Sequence, residues 1–455
     1  MKHSGARQPV PPQPHGFWVG RAVVMLLALV VGVVVSPWLS DAARPKRLKI
    51  DAMIVGGVDQ LNGPLASVES FNANTGKFNC INGLNSSTGV CNNALQQPRF
   101  YASVAALADD EVLVAGGNGA GVLCLNSAEL FNSSSGSFAA TGNMTDAHCF
   151  AHTTTVLKNG EVLITGGEDQ TGNLVNTADM YNPSLGKFDC SGLGGPDPNT
   201  GYCVNTLTDT RFLDAATLLQ DGRVLITGGN DGAIVNTAEI FDPIAGTFGC
   251  SSLGGVNQGT GFCNNTMTDS RENHSATLIV TGPNTGDVLI AGGLDAAGVV
   301  LQTAELFDVS SGKFICANGL APNSSGCPAE MTQARYLHTA TLLDPKYVKG
   351  RYRGDILIAG GESANGTVLA TAEVYDPVKK TFTALGSMNT PRVLHAATLI
   401  TSGSHKGWVL LAGGVDNLGN SLGSAEFFDP KKGRFVATGS MYVPRSSSGG
   451  AALLR

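Results

Sequence analysis

Short apolar runs separated by turn residues repeat along this chain from residue 50 onward. Seven of them end in a Gly-Gly pair, beginning at Gly56, Gly116, Gly166, Gly228, Gly292, Gly360 and Gly413. About ten residues after each pair stands a second run in nearly one register: SVESFN, SAELFN, TADMYN, TAEIFD, TAELFD, TAEVYD and SAEFFD. A third run precedes each pair from the second onward, as in RYLHTATLL (335–343) and RVLHAATLI (392–400), and a fourth carries an aromatic, as in GKFIC. Runs this short, rich in Val, Ile, Thr, Leu and Phe, predict strands. One unit therefore reads as a four-stranded antiparallel meander, strands a to d, written HSATLIV, DVLIAGG, TAELFD and GKFIC in the unit that begins at Arg271.

Self-similarity at 50 to 68 residues means stacked units, none able to bury both of its faces alone. Seven four-stranded sheets around an axis make an all-β, seven-bladed β-propeller. Residues 50–78 supply strands b to d of a first blade with no strand a before them, while RSSSGGAALLR (445–455) occupies the strand-a register. The C-terminal strand is thus expected to join the N-terminal blade and close the ring, removing two open sheet edges.

With 59 glycines and 14% charged residues, helix should be scarce, and the repeat argues for one propeller over residues 43–455 in place of several domains. The net charge is −7, and taking away the three basic and one acidic residues of 1–42 leaves −9. No basic stripe is present, so a nucleic-acid partner is not expected. Lys2, Arg7 and Arg21, the uncharged stretch Ala22–Val35 and the small residues before Ala42 read as a signal peptide over 1–42. Its apolar core is short for a span, and a membrane anchor follows only if the segment is retained. The chain is expected to be secreted, periplasmic or at the cell surface.

Eight cysteines recur at one place in four repeats: Cys80 with Cys91, Cys190 with Cys203, Cys250 with Cys263 and Cys316 with Cys327. Each pair brackets a Gly/Asn/Ser-rich excursion between strands d and a, so local disulfides that pin loop necks are expected. Cys124 and Cys149 are left over in neighbouring units, and the even total favours pairing them. The spacing is not that of a metal site.

The double glycine after strand b, the AE-x-[FY]-[DN] run, the aromatic of strand d and the R-x-x-H opening of strand a resemble the kelch-repeat propeller family, in an exported bacterial form similar to the propeller domain of galactose oxidase. The resemblance spans residues 50–455. It implies a binding or scaffolding role or, alternatively, copper-dependent oxidation, which needs histidines, tyrosines and a tyrosine thioether-linked to cysteine. This chain has no adjacent Tyr-His pair, Tyr336 and His338 being the nearest approach, and its cysteines are committed to bridges.

Arg99, Arg211, Arg271, Arg335, Arg392 and Arg445 share one position at the start of strand a, with Cys149 in the seventh place. Six cations near the channel mouth could hold an anionic group such as a uronate, sulfate or phosphate. Seven strand-c acids at one register, Glu69, Glu129, Asp179, Glu239, Glu305, Glu373 and Glu426, favour structural ion pairing instead. His274, His338 and His395 share the position three residues later, with His152 further back. Strand alternation should send these rings into the seams between blades, far from one another, where interblade hydrogen bonding is their expected role. Asp59, Asp169, Asp231, Asp295 and Asp416 mark the b-to-c turns and should cap them, an acidic rim for calcium or sugar hydroxyls being the alternative.

No catalytic residue, metal ligand or cofactor site can be singled out, because every repeat carries the same acids. The d-to-a and b-to-c loops share one end of the ring, and Phe100, Tyr101, Tyr202, Phe262 and Tyr336 lie in or beside those loops. A monomeric, non-catalytic recognition or scaffolding module for an extracellular protein or glycan is expected.

Overall fold

Alternation within single strands decides where the core sits. In blade 5, strand a is Ser275–Leu278, b Val288–Ala291, c Ala304–Asp308 and d Lys313–Cys316, in that spatial order. Val288 and Ile290 of strand b face the seam with blade 4, and Leu289 and Ala291 face the seam with blade 6. Because successive side chains leave a strand on opposite faces, an all-apolar strand b serves two seams at once. Seven buried clusters result, each drawn from two neighbouring blades. The core is a ring of seams.

The computed structural model describes residues 50–59, 63–121, 124–323, 326–328, 330–446 and 451–452, and the segment read as an export signal lies outside them. Among the described residues there are seven four-stranded antiparallel sheets, two short 3₁₀ turns and no α-helix. The innermost strands are Ala451–Ala452, Ser103–Ala106, Thr153–Val156, Ala215–Leu218, Ser275–Leu278, Thr339–Leu342 and Ala396–Leu399, for blades 1 to 7.

Each blade is pinned by one aromatic pair lying directly across strands c and d. The ring centroids stand 4.7 Å apart for Phe71–Phe78, 4.9 Å for Phe241–Phe248 and 5.2 Å for Phe428–Phe435, and the other four blades repeat the arrangement. Tilted pairs of this kind add about 1 kcal/mol each beyond their burial.

Closure follows the expectation from the repeats. Ala452 and Ala451 pair with Met53 and Ile54, giving the first sheet a C-terminal inner strand on Ala52–Val55, Val68–Asn72 and Lys77–Cys80. Ser446 also exchanges backbone hydrogen bonds with Val58 (2.9 and 3.0 Å), and the seam between blades 7 and 1 holds Phe71, Phe427, Ile400 and Leu410.

Candidate functional site

The start of strand a in six of the seven blades is built around one buried cation. The guanidinium Nη2 of Arg99, Arg211, Arg271, Arg335, Arg392 and Arg445 lies 2.9–3.1 Å from Glu129, Glu239, Glu305, Glu373, Glu426 and Glu69, the strand-c acid of the same blade. All six side chains are buried, so they present no cation to the channel. A second nitrogen of each donates to the carbonyl of the first glycine of its blade, as Arg271 Nη1 does to Gly292 at 2.8 Å. Burial lowers the pKa of Arg99, Arg335, Arg392 and Arg445, and the facing glutamate opposes that shift.

The carbonyl of the same residue completes the clamp by reaching the preceding blade. The N–H of the second glycine of each pair donates to it, from Gly57 to Arg99 (2.9 Å), Gly229 to Arg271 (2.8 Å) and Gly414 to Arg445 (2.9 Å), and likewise at the remaining four seams. A Cβ on Gly228 would stand 2.3 Å from the Arg271 oxygen and 2.8 Å from His274 Cε1, and its φ is +59°. Only glycine permits this approach.

The seventh position needs correction. His148, not Cys149, takes the arginine's place, with Nδ1 2.6 Å from the Gly166 carbonyl and Nε2 3.1 Å from Asp179. Burial disfavours the imidazolium, but the hydrogen bond and charge of Asp179 outweigh it and raise the His148 pKa. Cys149 bonds to Cys124, in the b-to-c segment of blade 2, and thus ties two blades together where the arginine is missing. The other four disulfides close the d-to-a loops as expected, and the described residues contain no free cysteine.

One residue before the histidine register the backbone turns left-handed in six blades: Tyr101, Ala151, Leu213, Asn273, Leu337 and Leu394 have φ of 53–59°. Leu213, Asn273 and Leu337 each donate their N–H to the carbonyl of the preceding member of this ring, at 3.1–3.2 Å. Non-glycine residues in this region cost on the order of 1 kcal/mol each and persist where surrounding structure imposes them. Here they line an axial cavity of about 300 Å³, bordered by Tyr101, His152, Asp214, Asn273, His274, His338 and His395.

That cavity corrects the expectation for the histidines. Each ring does bond across a seam: His274 Nε2 lies 3.0 Å from Thr227, His338 Nε2 2.9 Å from Ser275, His395 Nε2 2.9 Å from Thr339 and His152 Nε2 2.5 Å from Ser103. Yet all four border one space at the axis. His152 is in register with the other three, because blade 3 carries one extra residue, Phe150, between His148 and His152. Burial draws His152, His274 and His338 down to about 3, helped by the charge of His148, Arg271 and Arg335 respectively, and His395 also lies well below its ordinary value. The rings are neutral at physiological pH. Thr227 donates to the Ala215 carbonyl at 3.4 Å, so His274 carries its proton on Nε2 and donates to Thr227.

Asp214 stands in the histidine register of blade 4, a position the arginine spacing in RFLD exposes once aligned. Burial pushes its carboxyl up to about 7 against the pull of Arg211. Thr153 donates to its Oδ2 at 3.5 Å, while its buried Oδ1 has no hydrogen-bond partner.

At the rim, Tyr101 lies 5.1 Å from the extra Phe150 and 5.3 Å from Phe100, ring centre to ring centre, and Phe150 and Tyr202 are exposed. Phe262 and Tyr336 are half-buried. Asp169, Asp295 and Asp416 cap their own b-to-c turns by accepting from two backbone N–H groups each, and Asp231 accepts one from Ala233.

The donors do not fit a copper centre of the galactose-oxidase kind. Each axial imidazole spends Nε2 on a neighbouring blade, and every cysteine sulfur is in a disulfide, leaving none for a thioether. Burial and then Glu362 push the Tyr336 phenol up to about 12, against phenolate formation. Among the described residues, no group of three or more His, Cys, Asp or Glu is placed to hold a metal ion.

The family model of the kelch motif matches residues 350–389. No curated protein matches the chain. Among solved structures, the fold is similar to a fungal alcohol oxidase of the AA5 family in complex with copper, at 16% identity and a TM-score of 0.50, covering 77% of this chain and 67% of that one. It is also similar to YjhT, at 12% identity and a TM-score of 0.51, covering 75% of this chain and 97% of that one. At these identities the likeness establishes fold alone. The chain is a seven-bladed β-propeller of four-stranded blades that carries a kelch motif at residues 350–389.

Proposed function

We propose that the propeller is an exported, non-catalytic recognition module that takes a glycan or protein segment on the end carrying the d-to-a loops, with the axial cavity at its centre. The observation that carries this reading is the Tyr101–Phe150 ring pair at the rim of a cavity lined by neutral imidazoles. Aromatic faces beside neutral polar groups suit the C–H faces and hydroxyls of a sugar, or an amphipathic peptide. The disulfide-pinned loops around it offer a varied surface on a rigid ring. Five disulfides fit an oxidising compartment, and among the described residues no helix is long and apolar enough to cross a membrane.

A screen of glycans and extracellular proteins should find a ligand whose affinity falls at least about tenfold in Tyr101→Ala/Phe150→Ala, with unfolding unchanged. Affinity unaffected by that variant would remove this end as the binding surface. The competing oxidase reading draws on the fold shared with a copper-bound alcohol oxidase. Stoichiometric copper with alcohol-dependent peroxide release would establish it in place of recognition.

A further inference from the structure

The chain is acidic overall, yet its cations gather at one place on the end opposite the d-to-a loops, where a-to-b and c-to-d connections lie. Three segments meet there: residues 344–354 of blade 6, and 401–407 and 430–433 of blade 7. Together they carry seven Lys and Arg residues against one acid, Asp344, with Asp355 and Asp429 buried at their edges. Asp344 is already engaged, its Oδ1 accepting from the Lys346 backbone at 2.7 Å.

Aromatic rings hold several of these cations in place. Lys346 and Lys406, from different blades, lie 5.0 and 5.3 Å from the centre of the Tyr347 ring, and Arg351 lies 5.1 Å from that of Tyr352. Such contacts fix long side chains that would otherwise lose entropy on binding. Between the segments is a pocket of about 150 Å³ walled by Tyr347, Trp408 and Pro430, with Lys349, Lys406 and Lys431 around it. The three lysines are exposed and the two aromatic walls half-buried.

We infer that this pocket is a subsite for an anionic polysaccharide, one acidic sugar ring lying against the Trp408–Pro430 wall with its carboxylate or sulfate among the three ammonium groups. The pocket is too small for more than a ring and its substituent. Both aromatic walls of the pocket are half-buried, while Leu185, Ile244 and Val378 on the c-to-d turns of blades 3, 4 and 6 are exposed, so a lipid surface is an alternative that the test includes. Lysines suit this task because a flexible point charge adapts to acidic groups spaced by a sugar repeat. The site is independent of the axial cavity and stands or falls without it.

The full secreted chain is tested by affinity electrophoresis through polygalacturonate and, separately, dextran sulfate, which distinguishes carboxylate from sulfate. Retardation by either polymer, weakening as salt rises, is expected. Lys349→Gln/Lys406→Gln/Lys431→Gln should weaken it at least about tenfold. Lys77→Gln/Lys187→Gln/Lys313→Gln, which removes the same charge from exposed positions on blades 1, 3 and 5, should change it less than about twofold. No retardation by either polymer, equal losses in the two variants, or equally tight binding to phosphatidylserine vesicles or a single-stranded oligonucleotide would each overturn the assignment.

Discussion

The guanidinium of Arg445 lies 2.9 Å from the carboxylate of Glu69, a partner 376 positions earlier in the chain. The same side chain donates to the carbonyls of Gly56 (2.9 Å) and Ser67 (3.0 Å), and its own carbonyl accepts from Gly414. One residue therefore joins blade 7 to blade 1 before the terminal strand begins. Removing one partner of a buried pair leaves the other charge without compensation, at about 3–5 kcal/mol. Arg445→Met should lower the thermal midpoint sharply, and Arg445→Met/Glu69→Gln should recover part of the loss. Calorimetry showing both variants unchanged would remove the clamp as the closing element.

A methyl group at Gly228 would test the seams. Alanine there meets the Arg271 carbonyl at 2.3 Å and must hold φ near +59°, so Gly228→Ala should cost about 3 kcal/mol in urea denaturation. Gly186→Ala, at a φ of +62° but with nothing within 4 Å of the added carbon, should cost about 1 kcal/mol. Equal losses would mean that strain alone, not the interblade approach, explains the double glycine.

Of the seven clamp pairs, only His148–Asp179 has a histidine in place of the arginine. The folded His148 pKa is raised above the unfolded value, so its stabilisation is complete below about 6.5 and lost as pH rises through the folded value. Asp179 is shifted down, burial opposing and the His148 hydrogen bond prevailing, so its share disappears only when acid reaches the folded carboxylate. Stability of the wild type relative to His148→Gln should fall as pH rises above about 6.5. A flat difference would show that folding leaves the His148 pKa unshifted, and one that rises with pH would show the buried ring to be neutral.

Asp214 works in the opposite sense. Its folded pKa of about 7 lies above the unfolded carboxylate value, so the native state is penalised as pH rises through about 4 to about 7. Asp214→Asn should therefore be neutral near pH 4 and stabilising by about 2 kcal/mol near pH 8, a figure discounted for solvent reaching the cavity. Loss of stability at both pH values would mean that the carboxylate is held by a charge partner.

The reduced protein should reveal what the blade 2–3 bridge contributes. Cys124→Ser/Cys149→Ser reopens a separation of 25 residues and should cost up to about 3.5 kcal/mol by chain entropy. If unfolding is unaltered, the clamp at His148 suffices alone.

Periodicity made the ring legible. The Gly-Gly spacing, the AE-x-[FY]-[DN] register and the strand-a pattern at 445–455 together specify seven closed blades, since local alternation and turn chemistry are written residue by residue. The pairing of arginine with the strand-c acid was readable for the same reason, six cations and seven acids keeping one register. What lay outside the sequence was convergence. His152, Asp214, His274, His338 and His395 are 57 to 64 residues apart along the chain from one to the next, and only closure of the ring brings them to one axis. The one-residue insertion at Phe150 hid His148 and His152 from a fixed-spacing reading, and the cationic pocket joins loops of two blades whose cations look unremarkable in linear order. Strand alternation is a property of neighbours in the chain. Which side chains share a cavity depends on the angle at which whole blades meet, and buried seams, not any single motif, set that angle.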